Sequence, residues 1–394
     1  MRRILSGNRP TGKLHIGHLF GVLQNWKRLQ YEYESFFEVA DWHALTTNYK
    51  KTDELQQNIV DMVIDWLVVG IDPEKATIFV QSDVKEHAEL HLLFSMIVTV
   101  SRLLRNPTLK EYIKEVSPTE LTTTKRKSFD KFAARVIDIF MDEFEGIERR
   151  ENLIEWKSIL KQKLKEVFLK EMKEHGLEEE EEELTYGHLI SYGFLGYPVL
   201  QASDILVYRA SHVPVGADQL PHLEITREIA RRFNHLYGEV FPIPEPILTE
   251  FAKVPGIDGR KMSKSYKNTI LISENPETLK EKVMSSYTDP QKIRRNDPGH
   301  PEGCPIFAYH KIFHSESADE AEINCKKGLL GCVEHKKFVA EKIIEFLEPY
   351  RVKRSELEQD RNKVVDILKE GAKKARVEAG KTLEIVREHM KLWR

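Results

Sequence analysis

Along the first hundred residues the apolar positions change period several times. Short apolar runs stand at Arg3 to Ser6, Phe36 to Ala40 and Ala76 to Gln81, and the stretches between them, the first from about Ile16, place apolar residues every three or four positions. Short runs bounded by turn residues predict strands, and the longer period predicts amphipathic helices. Strands that alternate with helices predict a parallel, doubly wound α/β sheet, because a parallel neighbour needs a crossover. From Pro118 to Glu183 the character changes. Phe129, Phe132, Val136, Ile139, Phe140 and Phe144 recur at helical spacing, as do Leu153, Trp156, Leu160, Leu164, Val167 and Phe168 after Gly146, which predicts an inserted antiparallel helix pair. A solvated run of glutamates, Glu178 to Glu183, closes it. The sheet pattern resumes at Gly193 to Tyr208 and around Val213, and beyond about Glu274 the chain reads as helical to its end. The expected division is therefore a catalytic α/β domain in two halves, 1–117 and 184–274, interrupted by the hairpin 118–183 and followed by a helical domain at 275–394.

Composition narrows the class of protein. With 394 residues, 41% hydrophobic and 31% charged, the chain can bury two or three cores. No stretch approaches the run of about 20 apolar residues that spans a bilayer, and the start MRRILSGNRPTG has no apolar signal segment, so a cytoplasmic protein without membrane contact is expected. A net charge of −3 excludes a uniformly basic nucleic-acid coat but leaves room for a local basic face.

Two segments carry the chemistry. Pro10-Thr11-Gly12-Lys13-Leu14-His15-Ile16-Gly17-His18 sets two histidines and a glycine where a strand turns into a helix. A helix start offers unpaired N–H groups and the positive end of the dipole to an anion, and the histidines can donate to phosphate oxygens. Lys261-Met262-Ser263-Lys264-Ser265 follows the turn Gly256-Ile257-Asp258-Gly259-Arg260, which puts two lysines on a loop able to close over a triphosphate.

Together these segments resemble, letter for letter and in the same order, the two signature motifs of the class I aminoacyl-tRNA synthetases. The resemblance implies a Rossmann-type domain that activates an amino acid with ATP and Mg²⁺, then transfers it to the terminal ribose of a tRNA. His15, His18, Lys261 and Lys264 would be the catalytic groups, and the lysines would neutralise the departing pyrophosphate. Arg9, Pro10, Thr11, Gly17, His18, Gly216, Ala217, Asp218, Val254, Met262, Ser263 and Ser265 would complete the ATP site.

A second block concerns the amino acid. Tyr197, Gln201 and Asp204 fall at i, i+4 and i+7, one face of a helix if the segment is helical, and Val213-Pro214-Val215-Gly216-Ala217-Asp218-Gln219 follows as a strand-to-helix turn that leads to His222, Glu224, Thr226 and Arg227. Both blocks resemble the pocket of the tryptophanyl and tyrosyl enzymes. Ser6-Gly7-Asn8-Arg9-Pro10-Thr11-Gly12, Ala40-Asp41-Trp42-His43-Ala44 and Asp297-Pro298-Gly299 with Cys304-Pro305 extend the likeness to the tryptophanyl family over nearly all the chain outside 118–183. It implies L-tryptophan and tRNA(Trp) as substrates and a homodimer. Asp204 would accept from the indole N–H, Tyr197 and Gln219 would hold the α-amino group, and Leu5, His43, Gln201, Val213 and Val215 would line the pocket. Ala217 stands where the family often has Glu, and Gln201 where many members have Met. Because Gln also occurs in tyrosyl-type pockets, tyrosine stays open as the amino acid. A nucleotidyltransferase with the same His-x-Gly-His loop is the rival reaction, though such enzymes lack the second motif.

The chain's three cysteines, Cys304, Cys325 and Cys332, with His335 form Cys-x20-Cys-x6-Cys-x2-His. Three cysteines make no disulfide framework, whereas thiolates beside an imidazole suit zinc or, with less usual ligation, iron–sulfur chemistry. Some bacterial tryptophanyl enzymes carry a four-cysteine 4Fe–4S cluster at a similar place. With His335 in the fourth position, a cluster, a zinc ion and an empty remnant all stay open.

Overall fold

A computed structural model describes residues 2–107, 109, 191–216, 219–248 and 254–393. The expected hairpin at 118–183, together with Ala217 and Asp218, lies outside them. The chain divides into two compact units, Met1–Val100 with Gly196–Arg394, and Ser101–Leu195.

The larger unit holds the sheet. Strands β1 (Arg3–Asn8), β2 (Glu34–Val39), β3 (Ala76–Val80), β4 (His212–Val215) and β5 (Glu245–Leu248) run parallel in the order β3-β2-β1-β4-β5. The order reverses direction between β1 and β4, the place where doubly wound sheets open a crevice at the carboxyl ends of their strands. Helix α1 (Ile16–His18) passes through a π-helical stretch, Leu19–Leu23, into α2 (Gln24–Leu29). Helices α3 (Asp41–Asn48), α4 (Leu55–Val69) and α5 (Glu86–Ser95) complete the first half. Helix α6 (Tyr192–Val207) leads into β4, and α7 (Leu220–Tyr237) follows it. Five helices come after the Lys-Met-Ser-Lys-Ser loop: α8 (Pro276–Met284), α9 (Pro305–Phe313), α10 (Ala318–Lys326), α11 (Cys332–Gln359) and α12 (Arg361–His389). Asn275 caps α8 by accepting from the Thr278 N–H at 2.7 Å, with Pro276 in the first helical position, where its missing N–H is not needed.

One expectation fails. The apolar run from Gly193 to Tyr208 is helix and not sheet, because a segment buried on most of its circumference shows no contrast between faces, and period then cannot separate the two. The helix nonetheless brings Tyr197, Gln201 and Asp204 onto consecutive turns.

Trp26 anchors the core under the sheet, stacked on Phe37 at 4.4 Å and meeting Trp66 edge-on at 5.0 Å. Ile4, Leu14, Ile16, Ile270 and Ile272 are buried in the same cluster. Each such aliphatic side chain contributes about 1.5–3 kcal/mol by leaving water. Helix α12 lies on β3 so closely that a Cβ at Gly371 would stand 1.7 Å from the Ile78 carbonyl oxygen. Only glycine permits that approach. Among the described residues no helix is long and apolar enough to cross a membrane.

Candidate active site

Backbone pairing brings the two signature segments together. The Ile16 N–H donates to the Ile270 carbonyl at 2.9 Å, and the Ile272 N–H donates to the Leu14 carbonyl at the same distance. The short stretch after the lysine loop thus forms a bridge with His15. Below it, the Leu14 N–H donates to Asp65 Oδ2 at 2.7 Å. Every main-chain group of Leu14 is therefore fixed before His15 begins the helix.

His15 and His18 stack with ring centroids 3.8 Å apart, and the His15 N–H donates to His18 Nδ1 at 3.4 Å. A Cβ on Gly17 would stand 2.9 Å from His15 Nδ1 and push on that ring, while the sulfur of Met262, at 3.6 Å, would be at ordinary contact distance. Burial first, then the neighbouring Lys264, lowers His15 to about 4. Burial, His15 and Lys264 lower His18 to about 3. Both rings are neutral at physiological pH, each with one N–H to offer.

Lys264 reaches across the cleft from the short helix Lys264–Tyr266 and donates to the Thr11 carbonyl at 2.6 Å and to Thr11 Oγ1 at 3.3 Å. Burial lowers its pKa to about 8 while Asp65 and Asp61 resist that fall. Lys261 is exposed and its carbonyl accepts from Asn268 Nδ2 at 3.1 Å. Asn268 is the loop's internal brace, since its Oδ1 also accepts the Ser263 N–H at 2.7 Å and its Nδ2 donates to Asp258 at 2.8 Å. Arg9 and Thr11 are exposed, Pro10 and Val254 are buried, and Gly216 is half-buried beyond β4.

The second constellation surrounds Asp204, 1% exposed. Gln81 Nε2 donates to Oδ1 at 2.8 Å, His87 Nδ1 to Oδ1 at 2.6 Å, and His43 Nε2 to Oδ2 at 2.9 Å. Tyr208 OH donates to His87 Nε2 at 2.7 Å, which fixes the His87 proton on Nδ1. Burial alone would raise the Asp204 carboxyl, but the donors from His43 and His87 outweigh it and hold the group well below the usual carboxylate range. A carboxylate has roughly four acceptor sites, and these N–H donors take three of them, two on Oδ1 and one on Oδ2. Nearby, Tyr197 OH donates to His222 Nε2 at 2.6 Å and His222 Nδ1 to Gln219 Oε1 at 2.9 Å, linking the two residues assigned to the amino group. Leu5, Val213 and Val215 are buried on β1 and β4, and Gln201 is half-buried one turn before Asp204.

Sequence reasoning did not single out Gln81, His87, Tyr208 or Glu38. Glu38 lies over Gly7 on the adjacent strand, and its Oε2 makes no hydrogen bond and stands 3.9 Å from His87 Nδ1. Burial, then the charge of Asp204, raises its carboxyl well above the ordinary range, so it is held as the neutral acid. The signal was present in Phe36-Phe37-Glu38-Val39-Ala40, an acid inside an apolar strand.

Cys304 starts α9, Cys325 lies at the end of α10 and Cys332 opens α11. Burial raises Cys304 and Cys325; Cys332 raises both further, and Cys304 also raises Cys325. His335 shares a hydrogen bond of 2.7 Å with His310 Nδ1 through its Nε2. Among the described residues, the group of potential ligand atoms that all lie within 4.8 Å of one another is Glu38, His87 and Asp204, not the cysteine set.

Residues 1–125 and 155–348 match the family described as tRNA synthetases class I (W and Y). The tryptophan–tRNA ligase of Aquifex aeolicus (strain VF5) is 48% identical over 99% of this chain and 100% of its own length. That of Thermotoga maritima is 44% identical over 99% of each. Among solved structures, the tryptophanyl-tRNA synthetase of Campylobacter jejuni complexed with ADP and tryptophan superposes with a TM-score of 0.74 at 30% identity, covering 99% of this chain and 100% of that one.

Proposed function

The chain belongs to the class I tRNA synthetases of the tryptophan and tyrosine (W and Y) family, and we propose that it activates L-tryptophan with ATP and charges tRNA(Trp). The observation that carries the reaction is the meeting of the two signature segments, with the Lys264 ammonium beside two neutral histidines. In the first step the tryptophan carboxylate attacks the α-phosphorus in line and pyrophosphate leaves, which needs two anions oriented and charge stabilised, with no covalent enzyme intermediate. His15 and His18 donate to phosphate oxygens, and Lys261 and Lys264 take up the charge that grows on the departing pyrophosphate. Arg9, Pro10, Thr11, Gly17, Gly216, Ala217, Asp218, Val254, Met262, Ser263 and Ser265 complete the nucleotide site. Mg²⁺ would enter on the triphosphate and be held by its oxygens, since Asp61 and Asp65, the carboxylates that act on Lys264, are already engaged by Arg354.

Asp204 accepts from the indole N–H, and Tyr197 and Gln219 hold the α-amino group. The resemblance of the whole chain to relatives named for tryptophan favours that amino acid over tyrosine. Pyrophosphate exchange measured with each standard amino acid tests the assignment: tryptophan is expected to drive it, and exchange driven by tyrosine alone would overturn it.

We extend the proposal to a cytoplasmic homodimer, for which exposed Leu92, Met96 and Val100 offer an apolar patch. The hairpin at 118–183 would be an insertion dispensable for activation. For Cys304, Cys325 and Cys332 to hold a metal their sulfurs would have to draw closer together than they lie here, and His335 could join them only by releasing His310. No step of the reaction runs through that metal. Protein purified without oxygen is expected to contain iron or zinc and to lose it on Cys325→Ser. Metal-free protein would return these residues to the core.

A further inference from the structure

Beneath the nucleotide site lies a charged cluster that the reaction does not use. Asp61 and Asp65, one turn apart on α4, are 5% and 0% exposed, and Arg354 of α11 is 2% exposed. Arg354 Nη1 donates to Asp65 Oδ1 and, at 3.1 Å, to the Asp61 carbonyl. Its Nη2 donates to Asp61 Oδ1 at 3.3 Å and its Nε to Glu358 at 2.8 Å. Four of the five N–H donors of the planar arginine fork are thus used, a geometry that a lysine cannot reproduce. Asp65 then turns its other oxygen, Oδ2, to the Leu14 N–H.

From these contacts we infer that Asp65 is a positioning residue for adenylate formation, through which Arg354 ties helix α11 to the loop that carries His15 and His18. A buried carboxylate that bonds a loop N–H with one oxygen and a guanidinium with the other transmits any displacement of the guanidinium to the loop. Arg361 from α12 braces Asp61 at 3.0 Å, so both helices enter the link. Lys264 faces the same pair of carboxylates across the cleft. The cluster therefore acts on both signature segments, on one by a hydrogen bond and on the other by its field. Replacing a buried ion pair by apolar groups is often neutral for stability, which makes a role in placement the better account of why these charges are here.

The groups facing Asp65 are Arg354 and Glu358 of α11, Asp61 on its own helix, Arg361 of α12, and Lys13 and Lys264 from the loops. Burial pushes the Asp65 carboxyl up to about 6, although Arg354, Leu14 and Lys13 draw it down. Protonation below that pH releases the link.

The inference rests on the tryptophan-activating reading. Exchange of pyrophosphate is measured on the full chain for wild type, Asp65→Asn, Arg354→Lys and Arg354→Gln. We expect kcat to fall roughly tenfold to hundredfold in Asp65→Asn and Arg354→Gln, with KM for tryptophan unchanged and Arg354→Lys between. The ratio of Asp65→Asn to wild-type activity should climb towards one as pH falls through about 6, because the wild-type carboxyl is then neutral as well. A role confined to stability would leave that ratio flat. Should a single variant fail to fold, Asp65→Asn with Arg354→Gln leaves no lone charge and takes its place, with the same expected fall in kcat. Wild-type kcat in folded variants, or a ratio that ignores pH, overturns the inference. Absence of tryptophan-dependent exchange in wild type would instead sink the reading on which it stands.

Discussion

Asp204→Ala is expected to lower kcat/KM for tryptophan in pyrophosphate exchange by roughly three powers of ten. The size follows from what the substitution leaves behind. Gln81, His43 and His87 all aim an N–H at this carboxylate, and Gln81 and His87 are 0% exposed, so no bulk water replaces the lost acceptor. Each unsatisfied buried donor costs about 1–3 kcal/mol; the enzyme's own three bear that cost with or without substrate and reorganise the pocket, whereas the indole N–H bears it only on binding, which kcat/KM reads directly. The site also loses discrimination, because rejection of an analogue without an N–H depends on the acceptor it would leave unpaired. Asp204→Asn separates charge from shape. It removes the repulsion that helps keep Glu38 neutral, and its amide still accepts from one side. An intermediate loss is expected there, and kcat/KM within about twofold of wild type for the alanine variant would exclude Asp204 from recognition.

Lys264→Ala should depress kcat by about a hundredfold to a thousandfold and leave KM for ATP nearly unchanged. In the structure its ammonium rests on Thr11, an arrangement that the leaving pyrophosphate outcompetes only as its charge develops. Interaction realised at the transition state appears in kcat, whereas equal binding of ground and transition states would appear in KM. The pH dependence gives a second check. Burial sets Lys264 at about 8, below the usual lysine value, so the cationic and active form is lost as pH rises through about 8. Wild-type kcat/KM for ATP, which reports the free enzyme, should fall on that alkaline limb and the alanine variant should lack it. A change confined to KM, or the same limb in both proteins, would assign the charge stabilisation elsewhere.

Much of this site could be read before any coordinates, and the remainder divides by physical cause. The strands β1, β2 and β3 announce themselves through short apolar runs at their boundaries, and the two phosphate-handling segments through motifs in which each letter has a mechanical reason. The segment of helix α6 reads as sheet in outline, and the spacing of Tyr197, Gln201 and Asp204 gives them one face only on the condition of a helix, which the fold supplies. Gln81 and His87 stayed hidden because they approach Asp204 from 123 and 117 residues away, with no local pattern to mark them. The pairing of Asp65 with Arg354 crosses 289 residues and joins two ordinary helix faces, where a charge in sequence reads as solvent-exposed. Spacing reveals chemistry held within one element. Chemistry assembled between elements needs the fold.

The contact between Gly371 and Ile78 bears on the order in which this protein is made. Among the described residues β3 ends the sheet, and the helix that lies on it is synthesised long after the strand. Until residues beyond Arg361 have been synthesised, the nascent chain carries an outer strand with main-chain groups open to pairing with other chains. Premature termination within α12 would therefore yield more than a shortened enzyme. It would yield a product with an adhesive edge, for which a cell's chaperones and proteases, rather than its translation machinery, become the relevant partners.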